Sequence, residues 1–585
     1  MIEIRTYTKD TPELVGSVVK LQGFVAKVRN HGQLIFIDFR DWYGTVQVVV
    51  NKEQNAEDFL VAQSLGKEFV IEVQGSVIKR DAKLINKNIP TGEIEISCES
   101  LTVINKCDTL PFPIDGDGVD IDESVRLKYR FLDLRRERLA NIIKNKHKYI
   151  LAVRNWMDKN GFTEVITPLL TSTSPEGARD FIIPSRVHKG KFFVLPQSPQ
   201  QFKQLLMVGG VDRYFQIAPC ARDEDPRADR HAGVFYQIDI EISFPTVDII
   251  FDTAERLIKD TFSVVAPQKK LATFPFPRIN YSDAMERYGS DKPDIRFGLE
   301  LKNVTELLKG KSEFNVFNNA ECIKCLVAEK CGEYSRTQIS KLEDLAKEKG
   351  GKGLITAKIE NGKIIGRIAE FFSDDIQKEI IKITGALDTD LILFVADNKA
   401  TTNRVLSHLR NHLGKALGLV DSNLLSFAWI TGFPFYELND EGKLDFGHNP
   451  FSMPKGGAES LEKLDPLDVE SHQYDLTLNG FEIASGSIRN HEPETLVKAF
   501  EKIGYGRDEV IKKFGGLYRA LHFGAPPHGG WAIGIDRLLM LLLDENNIRD
   551  IYAFPLSSNG TDLLMNAPSE VTQKQLDETG IMLKP

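Results

Sequence analysis

Apolar and polar positions divide the 585-residue chain into stretches of different period. Over about the first hundred residues the apolar positions fall in short β-branched runs, "GSVVKLQGFVAKVR", "GQLIFIDFRD", "GTVQVVV", "EFVIEVQGSVIK" and "GEIEISCESLTVIN", parted by glycines and polar turns. Such runs predict strands. About five of them around one helical patch, "AEDFLVAQSLG", predict a small OB-type barrel. The stretch "KCDTLPFPIDGDGVDIDESV" is rich in Pro, Gly and Asp and predicts a linker. The pattern then turns helical through "RLKYRFLDLRRERLANIIKNKHKYILAVRNWMDKNGF" to Gly161 and opens a region where strands alternate with helices. Between about Asp283 and about Leu419 another α/β segment intervenes, with "GKGLITAKIENGKIIG", "DTDLILFVADNK" and the helix "ATTNRVLSHLRNHLGKALG". The earlier pattern resumes at "SFAWITGFPFYE", so the segment reads as an insertion between two halves of one domain.

Length suggests roughly three to four domains. A hydrophobic content of 42% with 27% charged residues is ordinary for globular protein. The net charge of −9 disfavours indiscriminate nucleic-acid binding and leaves room for a local basic groove. Six cysteines are sparse for a disulfide scaffold and fit a reducing compartment. "CIKCLVAEKC" holds a C-x-x-C, but no second pair or ligand-spaced histidine accompanies it, so buried strand cysteines are favoured over a metal site. "MIEIRTYTKD" has no basic-then-apolar leader, and "LLMLLL" at Leu538 to Leu543 is far shorter than the ~20 residues a membrane helix needs. A cytoplasmic protein with no membrane partner is expected.

Five patches have the residue types for chemistry. Between two strand-like runs the chain loops out "RDEDPRADRH", three arginines against four carboxylates. Arginine suits bidentate phosphate contact, Glu224 suits an amino group of a base, and Phe235 suits stacking on a purine. The alternative is a salt-laced hairpin tip. In "LPQSPQQFKQLLMV", Ser198 and Pro199 predict a helix start, with Gln200 and Lys203 on one face. In "TSPEGARDF", Glu176 sits on a loop where a carboxylate would meet an ammonium, or where a plain loop glutamate would stand. In "QYDLTLNGFEIASGSIRNH", Asp475 and Glu482 lie on strands joined at Asn479-Gly480 and are placed to share Mg2+. Strict alternation puts Glu482 and Arg489 on opposite faces, so a bulge is predicted near Gly486. Finally, "GAPPHGGWAIGIDRLLMLLL" leads from glycines through a buried strand to Asp536 and Arg537 in the first turn of a helix, an anion-friendly place.

Together these patches resemble the class II aminoacyl-tRNA synthetases, specifically the bacterial-type aspartyl-tRNA synthetases. "FTEVITPLLTSTSPEGARDF" resembles the first family motif, with Pro168 at a dimer contact. "RDEDPRADRH" with "FYQIDIE" resembles the second, and "GIDRLLM" the third. "RFLDLRR", "PSRVHKGKFFVLPQSPQQFKQLLM" and "FGAPPHGGWAIGIDR" are close to the aspartyl pattern. The resemblance implies an α+β chain. An OB-fold anticodon-binding barrel would span 1–105 and a hinge 106–130. A catalytic domain built on an antiparallel sheet flanked by helices would span 131–285 and 421–555. An inserted α/β domain similar to the family's GAD domain would span 286–420, and a C-terminal extension 556–585.

The resemblance also implies roles. Arg222 would hold the α-phosphate of a bent ATP and Arg537 the γ-phosphate, with Glu224 on the nucleotide and Phe235 on the adenine face. Asp223, His231, Gly534, Ile535 and Asp536 would lie along the ATP site. Asp475 and Glu482 would sit near Mg2+. Lys203 and Arg489 would hold the aspartate side chain, assisted by His448, while Glu176, Ser198, Gln200 and Asp239 would surround the α-amino group. On the barrel, Phe36 would stack on an anticodon base beside Arg29 and Gln47. The implied partners are L-aspartate, ATP, tRNA(Asp) and a second copy in a homodimer. A histidine at the position of His31 is often seen in family members that also charge tRNA(Asn), which points to relaxed specificity. Three departures stand out: Val234 replaces the family's glutamate before the stacking phenylalanine, "HNPF" with Asn449 replaces "HHPF", and "ASGS" replaces "GGGS". Rival readings are an asparaginyl or lysyl enzyme, and a silent paralogue that binds RNA through its barrel. Two cations fit a ligand with a second carboxylate, whereas an asparagine site would leave one buried cation unpaired. The presence of Arg222, Asp475, Glu482 and Arg537 together argues against the silent paralogue.

Overall fold

Alternation along the first strands closes them on themselves. In Leu34–Arg40 the inward Ile35, Ile37 and Phe39 are buried, while Phe36, Asp38 and Arg40 stay half-buried on the outer face. Five such strands form a closed barrel in the order Val18–Asn30, Leu34–Arg40, Thr45–Asn51, Ile94–Asn105, Val70–Lys79, and the last pairs back with the first. The predicted helical patch is the helix Ala56–Gln63, capped by the Asn55 side chain accepting from the Glu57 and Asp58 amides. Its Phe59 and Ala62 complete the barrel core.

The structure is a computed structural model that describes residues 5–173, 178–228, 233–439 and 441–584. The chain divides into two units, Met1–Asp122 with Phe131–Ala140, and Glu123–Arg130 with Asn141–Pro585. Part of the stretch expected as a hinge is helical, at Glu123–Lys128. Its Arg126 is buried against Asp550 at 2.6 Å, and its Glu123 accepts from the Arg549 guanidinium at 2.7 and 2.9 Å. These ion pairs join residues remote in sequence, so composition alone reads the stretch as a linker.

The second unit is organised by an eight-stranded sheet. Its order is Arg278–Asn280, Phe427–Thr431, Gln473–Leu478, Phe481–Ile488, His528–Gly534, Val234–Ser243, Arg213–Ala221, Thr163–Glu164. All neighbours are antiparallel except the outermost pair at each edge. Helices cover the sheet, so the central strand Gln473–Leu478 is buried at every position. Helix Val247–Thr261 contributes Phe251, which stacks on Trp429 at 4.1 Å. The intervening segment builds its own five-stranded antiparallel sheet, in the order Lys302–Asn303, Cys322–Ala328, Leu391–Asp397, Ile355–Glu360, Lys363–Ile365. Cys322 and Cys325 are buried in its second strand. Helices Arg336–Glu348 and Lys399–Ala416 pack Leu342, Leu406 and Leu409 against one face of it. Among the described residues no helix is long and apolar enough to cross a membrane.

Candidate active site and candidate nucleic-acid face

Four neighbouring strands and two helix starts converge on a cavity of about 330 Å³. Of the residues predicted from sequence, it is lined by Ser198, Gln200, Lys203, Arg222, Phe235, Asp239, His448, Asp475, Glu482, Arg489, Gly534, Asp536 and Arg537. Glu176 and His231 lie outside the described residues. Three further predictions are not on the cavity wall. Ile535 is fully buried where its helix, Ile535–Leu542, begins. Asp223 and Glu224 are exposed beyond the end of the strand Arg213–Ala221, where the Asp223 amide donates to the Arg179 carbonyl. Asp536 lines the cavity, but its carboxylate accepts from the Lys146 ammonium and, at 3.1 Å, from the Tyr236 amide, which ties the third motif to the second.

The floor is a buried quartet of two cations and two anions. Lys203 donates to Asp239 at 2.7 Å and lies 3.4 Å from Glu241. Arg489 grips both oxygens of Glu241, at 2.9 and 3.2 Å, and donates to Ser487 at 2.9 Å and the Gly530 carbonyl at 3.3 Å. Burial pushes Asp239 above its ordinary range, partly offset by Lys203. Burial pushes Glu241 up as well, but Arg489 and Lys203 outweigh it and hold that carboxyl below its ordinary value. The second oxygen of Asp239 has no partner among the described residues, since the nearby Tyr214 hydroxyl donates to Gln216. The quartet is neutral. Contrary to the expectation that an asparagine site would leave one buried cation unpaired, Lys203 and Arg489 both have carboxylate partners within the protein.

Serine capping is likewise shifted. The helix Gln200–Val208 has Pro199 at its N-cap, and Ser198, one place earlier, accepts from the Gln200 amide at 3.3 Å. The bulge needed to bring Glu482 and Arg489 into one cavity exists, but not at Gly486. Leu476 pairs with Ala484 and Thr477 with Glu482, so Ile483 is the extra residue. Gly486 is in regular register with Tyr474 and Trp531. It is glycine because a Cβ there would lie 2.2 Å from the Gly530 carbonyl oxygen and 2.7 Å from the Tyr474 ring.

At the other end of the cavity the Arg222 guanidinium lies 5.1 Å from the centre of the Phe235 ring, and Arg537 donates to the Glu482 carbonyl. Asp475 is driven well above the usual carboxylate range by burial and then by the charge of Glu482. Asp475 and Glu482, carboxylates on paired strands that line one cavity, suit a divalent cation that completes its shell with phosphate oxygens and water. Among the described residues no group of three or more His, Cys, Asp or Glu forms an all-protein cation cage. His448, set edge-on to Phe433 at 4.9 Å, is held below its ordinary value chiefly by burial. Asn449 accepts from the Phe451 amide at 2.9 Å, so the residue that departs from "HHPF" turns its own loop.

On the barrel, Arg29, His31, Phe36 and Gln47 do come together. Phe36 pairs across strands with Arg29, and Asp38 with Gln47. Arg29 grips Asp38 at 2.7 and 2.8 Å and reaches Gln47 at 3.3 Å; the Gln47 amide donates to Glu95 at 2.9 Å. The His31 ring stands edge-on to Phe36 at 5.5 Å.

Residues 122–558 match a family model described as tRNA synthetases class II (D, K and N), and residues 19–104 match the OB-fold nucleic acid binding domain. The chain belongs to the class II tRNA synthetases. Two curated relatives place it on the aspartyl branch. The aspartate–tRNA(Asp/Asn) ligase of Rickettsia akari is 47% identical over 98% of this chain and 96% of its own length. That of Brucella ovis is 48% identical over 98% of this chain and 97% of its own. Two solved structures share the fold. Asparaginyl-tRNA synthetase from Pyrococcus horikoshii, complexed with asparaginyl-adenylate, has a TM-score of 0.59 at 21% identity, over 95% of this chain and 98% of that one. Aspartyl-tRNA synthetase from Entamoeba histolytica has a TM-score of 0.57 at 20% identity, over 94% and 91%.

Within this class II synthetase, sequence reasoning missed two charged residues. Glu241 stands two places after Asp239 on one strand, so the period-2 rule already set both on one face. Lys292 reaches Glu482 at 3.2 Å and Asp291 at 2.9 Å, from a segment with no periodic signal.

Proposed function

We propose that the chain activates L-aspartate with ATP and transfers it to the 3′ end of tRNA(Asp) and of tRNA(Asn). The observation that carries the reading is the convergence of Arg222, Arg537, Lys203, Asp239 and Arg489 on one cavity, with Glu241 buried against the two quartet cations. In this mechanism the free oxygen of Asp239 accepts from the α-ammonium of aspartate, beside Ser198 and Gln200. Lys203 and Arg489, already fixed by their carboxylates, donate to the side-chain carboxylate, with His448 above it. That leaves the α-carboxylate facing the phosphates. One of its oxygens attacks the α-phosphorus, and the bond to the bridging oxygen of pyrophosphate breaks. Arg222 and Arg537 stabilise the charge on the phosphates, and their nearness to Phe235 and Glu482 matches a folded-back nucleotide. Asp475 and Glu482 would hold Mg2+, which neutralises phosphate charge when bound. A terminal ribose hydroxyl of tRNA then takes the aspartyl group, and AMP leaves.

Phe36, Arg29 and Gln47 give the barrel a stacking ring with polar neighbours, as single-stranded anticodon recognition requires. Two lines favour relaxed tRNA choice: His31 stands against Phe36, and the relatives are named for both tRNAs. Exposed Ile166, Leu169 and Leu170 beside Pro168 supply apolar surface for a second copy, and the setting is cytoplasmic translation. Pyrophosphate exchange with each amino acid tests the first step, and charging of purified tRNA(Asp) and tRNA(Asn) tests the second. Exchange stimulated by asparagine or lysine in place of aspartate overturns the assignment, and failure to charge tRNA(Asn) restricts it to tRNA(Asp).

A further inference from the structure

Lys292 is carried to the nucleotide end of the cavity by the inserted segment. Helix Tyr281–Tyr288 ends on Gly289, whose φ of 66° turns the chain into residues 290–299. Arg410, from the insertion's helix Lys399–Ala416, is buried and grips that stretch. It donates to the carbonyls of Asp294, Phe297, Gly298 and Leu299 at 2.7 to 3.1 Å, with Tyr288 and Phe297 rings 4.9 and 4.3 Å away. Within the stretch, the Ser290 hydroxyl accepts from the Lys292 amide at 3.0 Å. Asp294 packs against the hairpin turn that joins the strands of Asp475 and Glu482: a Cβ on Gly480 would be 3.4 Å from the Asp294 Cβ. So the lysine arrives on a held backbone, docked to the hairpin whose two carboxylates it faces. Its side chain is 36% exposed and ends 3.2 Å from Glu482.

We propose that Lys292 is a positioning residue for the nucleotide's divalent cation. In the ATP-free chain its ammonium holds Glu482 and stands where a cation's charge is needed; it releases that carboxylate when the metal–nucleotide complex enters. This rests on the reading of Asp475 and Glu482 as the cation's protein ligands. A second cation on Glu482 must compete with the ammonium, so the lysine weakens metal binding by the empty enzyme and ties the hold on metal to the arrival of phosphates. The insertion thereby contributes a residue that pairs with a carboxylate of the cavity wall.

Mn2+ is the probe, titrated into the nucleotide-free, full-length protein and followed by electron paramagnetic resonance. Lys292→Met should bind Mn2+ roughly fivefold more tightly than wild type, the order of one half-exposed ion pair. Lys292→Arg, which keeps the charge, should match wild type, and Glu482→Gln added to Lys292→Met should abolish the gain. A merely structural lysine would leave Mn2+ affinity unmoved. Unchanged or weaker binding by Lys292→Met, with Glu482→Gln still lowering Mn2+ affinity, overturns the role of Lys292 alone. Binding indifferent to Glu482→Gln overturns the metal reading of the carboxylates and this inference with it.

Discussion

Replacing Glu241 by glutamine tests the charge balance beneath the substrate. The substitution keeps the volume and removes one negative charge from a quartet in which Lys203, Asp239, Glu241 and Arg489 are each at most 1% exposed. Arg489 would lose both contacts to a carboxylate, at 2.9 and 3.2 Å, and Lys203 would lose its second partner at 3.4 Å. An amide offers one oxygen and turns N–H donors toward a guanidinium, so the arginine is not re-satisfied. Breaking a buried pair by removing one partner costs about 3–5 kcal/mol. The loss should appear in urea unfolding followed by tryptophan fluorescence, because Trp429 and Trp531 are buried in the same sheet. The surplus cation also makes a sharper prediction. Saturating aspartate brings a side-chain carboxylate and should restore part of the lost stability in Glu241→Gln, beyond its effect on wild type. Asparagine brings none and should restore nothing. A cost below about 1 kcal/mol, the level of an exposed pair, or rescue by asparagine equal to that by aspartate, would refute the charge argument.

Gly486→Ala forces a methyl to 2.2 Å from the Gly530 oxygen and should cost about 1–3 kcal/mol or more, with loss of pyrophosphate exchange; a variant that unfolds at the wild-type urea midpoint would contradict the close approach. Phe36→Ala should weaken tRNA binding by about 1–3 kcal/mol, the value of one stacked base, and an unchanged Kd in filter binding would remove Phe36 from the RNA face. His528 is fully buried, with Nδ1 2.7 Å from the Pro526 carbonyl and Nε2 3.1 Å from the Gln204 amide, and burial holds it below its ordinary value of 6.5. Because the unfolded chain takes up the proton first, stability is retained above pH 6.5 and lost as pH falls below it, by at most about 1.4 kcal/mol per pH unit. His528→Gln should lack this part of the slope when urea midpoints are compared at pH 7.5 and 5.5, and equal slopes in the two proteins would contradict a neutral buried imidazole.

Much of this architecture is readable from local rules, and the failures share a physical cause. Alternation in "LIFIDFR" sets Phe36 outside and Ile37 inside with no knowledge of neighbours, because the pleat alone decides it. Parity between Glu482 and Arg489 demands a bulge, and the strand has one, at Ile483. Glycine suggested Gly486, whereas the sheet inserts Ile483, a residue whose own preferences favour a regular strand. What makes position 486 glycine is a carbonyl on the next strand, and no local pattern records a cross-strand approach. Glu241 is legible from sequence, since it shares the strand parity of Asp239. Lys292 is not legible, because its partner lies on the far side of the whole insertion, and the packing of Asp294 against Gly480 that brings the two segments together leaves no local pattern.

The quartet also changes how selectivity must be argued. Two bare buried cations would be costly to keep without ligand, and a chain that waited for substrate to neutralise them would be unstable when empty. Pairing each with a carboxylate removes that cost and fixes both donors before substrate arrives. The same pairing weakens the simplest electrostatic reason for choosing aspartate over asparagine, since the empty site carries no net positive charge. What remains is geometry. A side-chain carboxylate can accept from Lys203 and Arg489 with either oxygen, while a carboxamide must turn an N–H toward one of two donors and leave it opposed. The penalty is that of an unsatisfied buried donor, about 1–3 kcal/mol, more where the donor is charged. On the proposed reading, selection against asparagine would come from donors that are already fixed and cannot turn away, and it would depend on Asp239 and Glu241 as much as on the cations they hold.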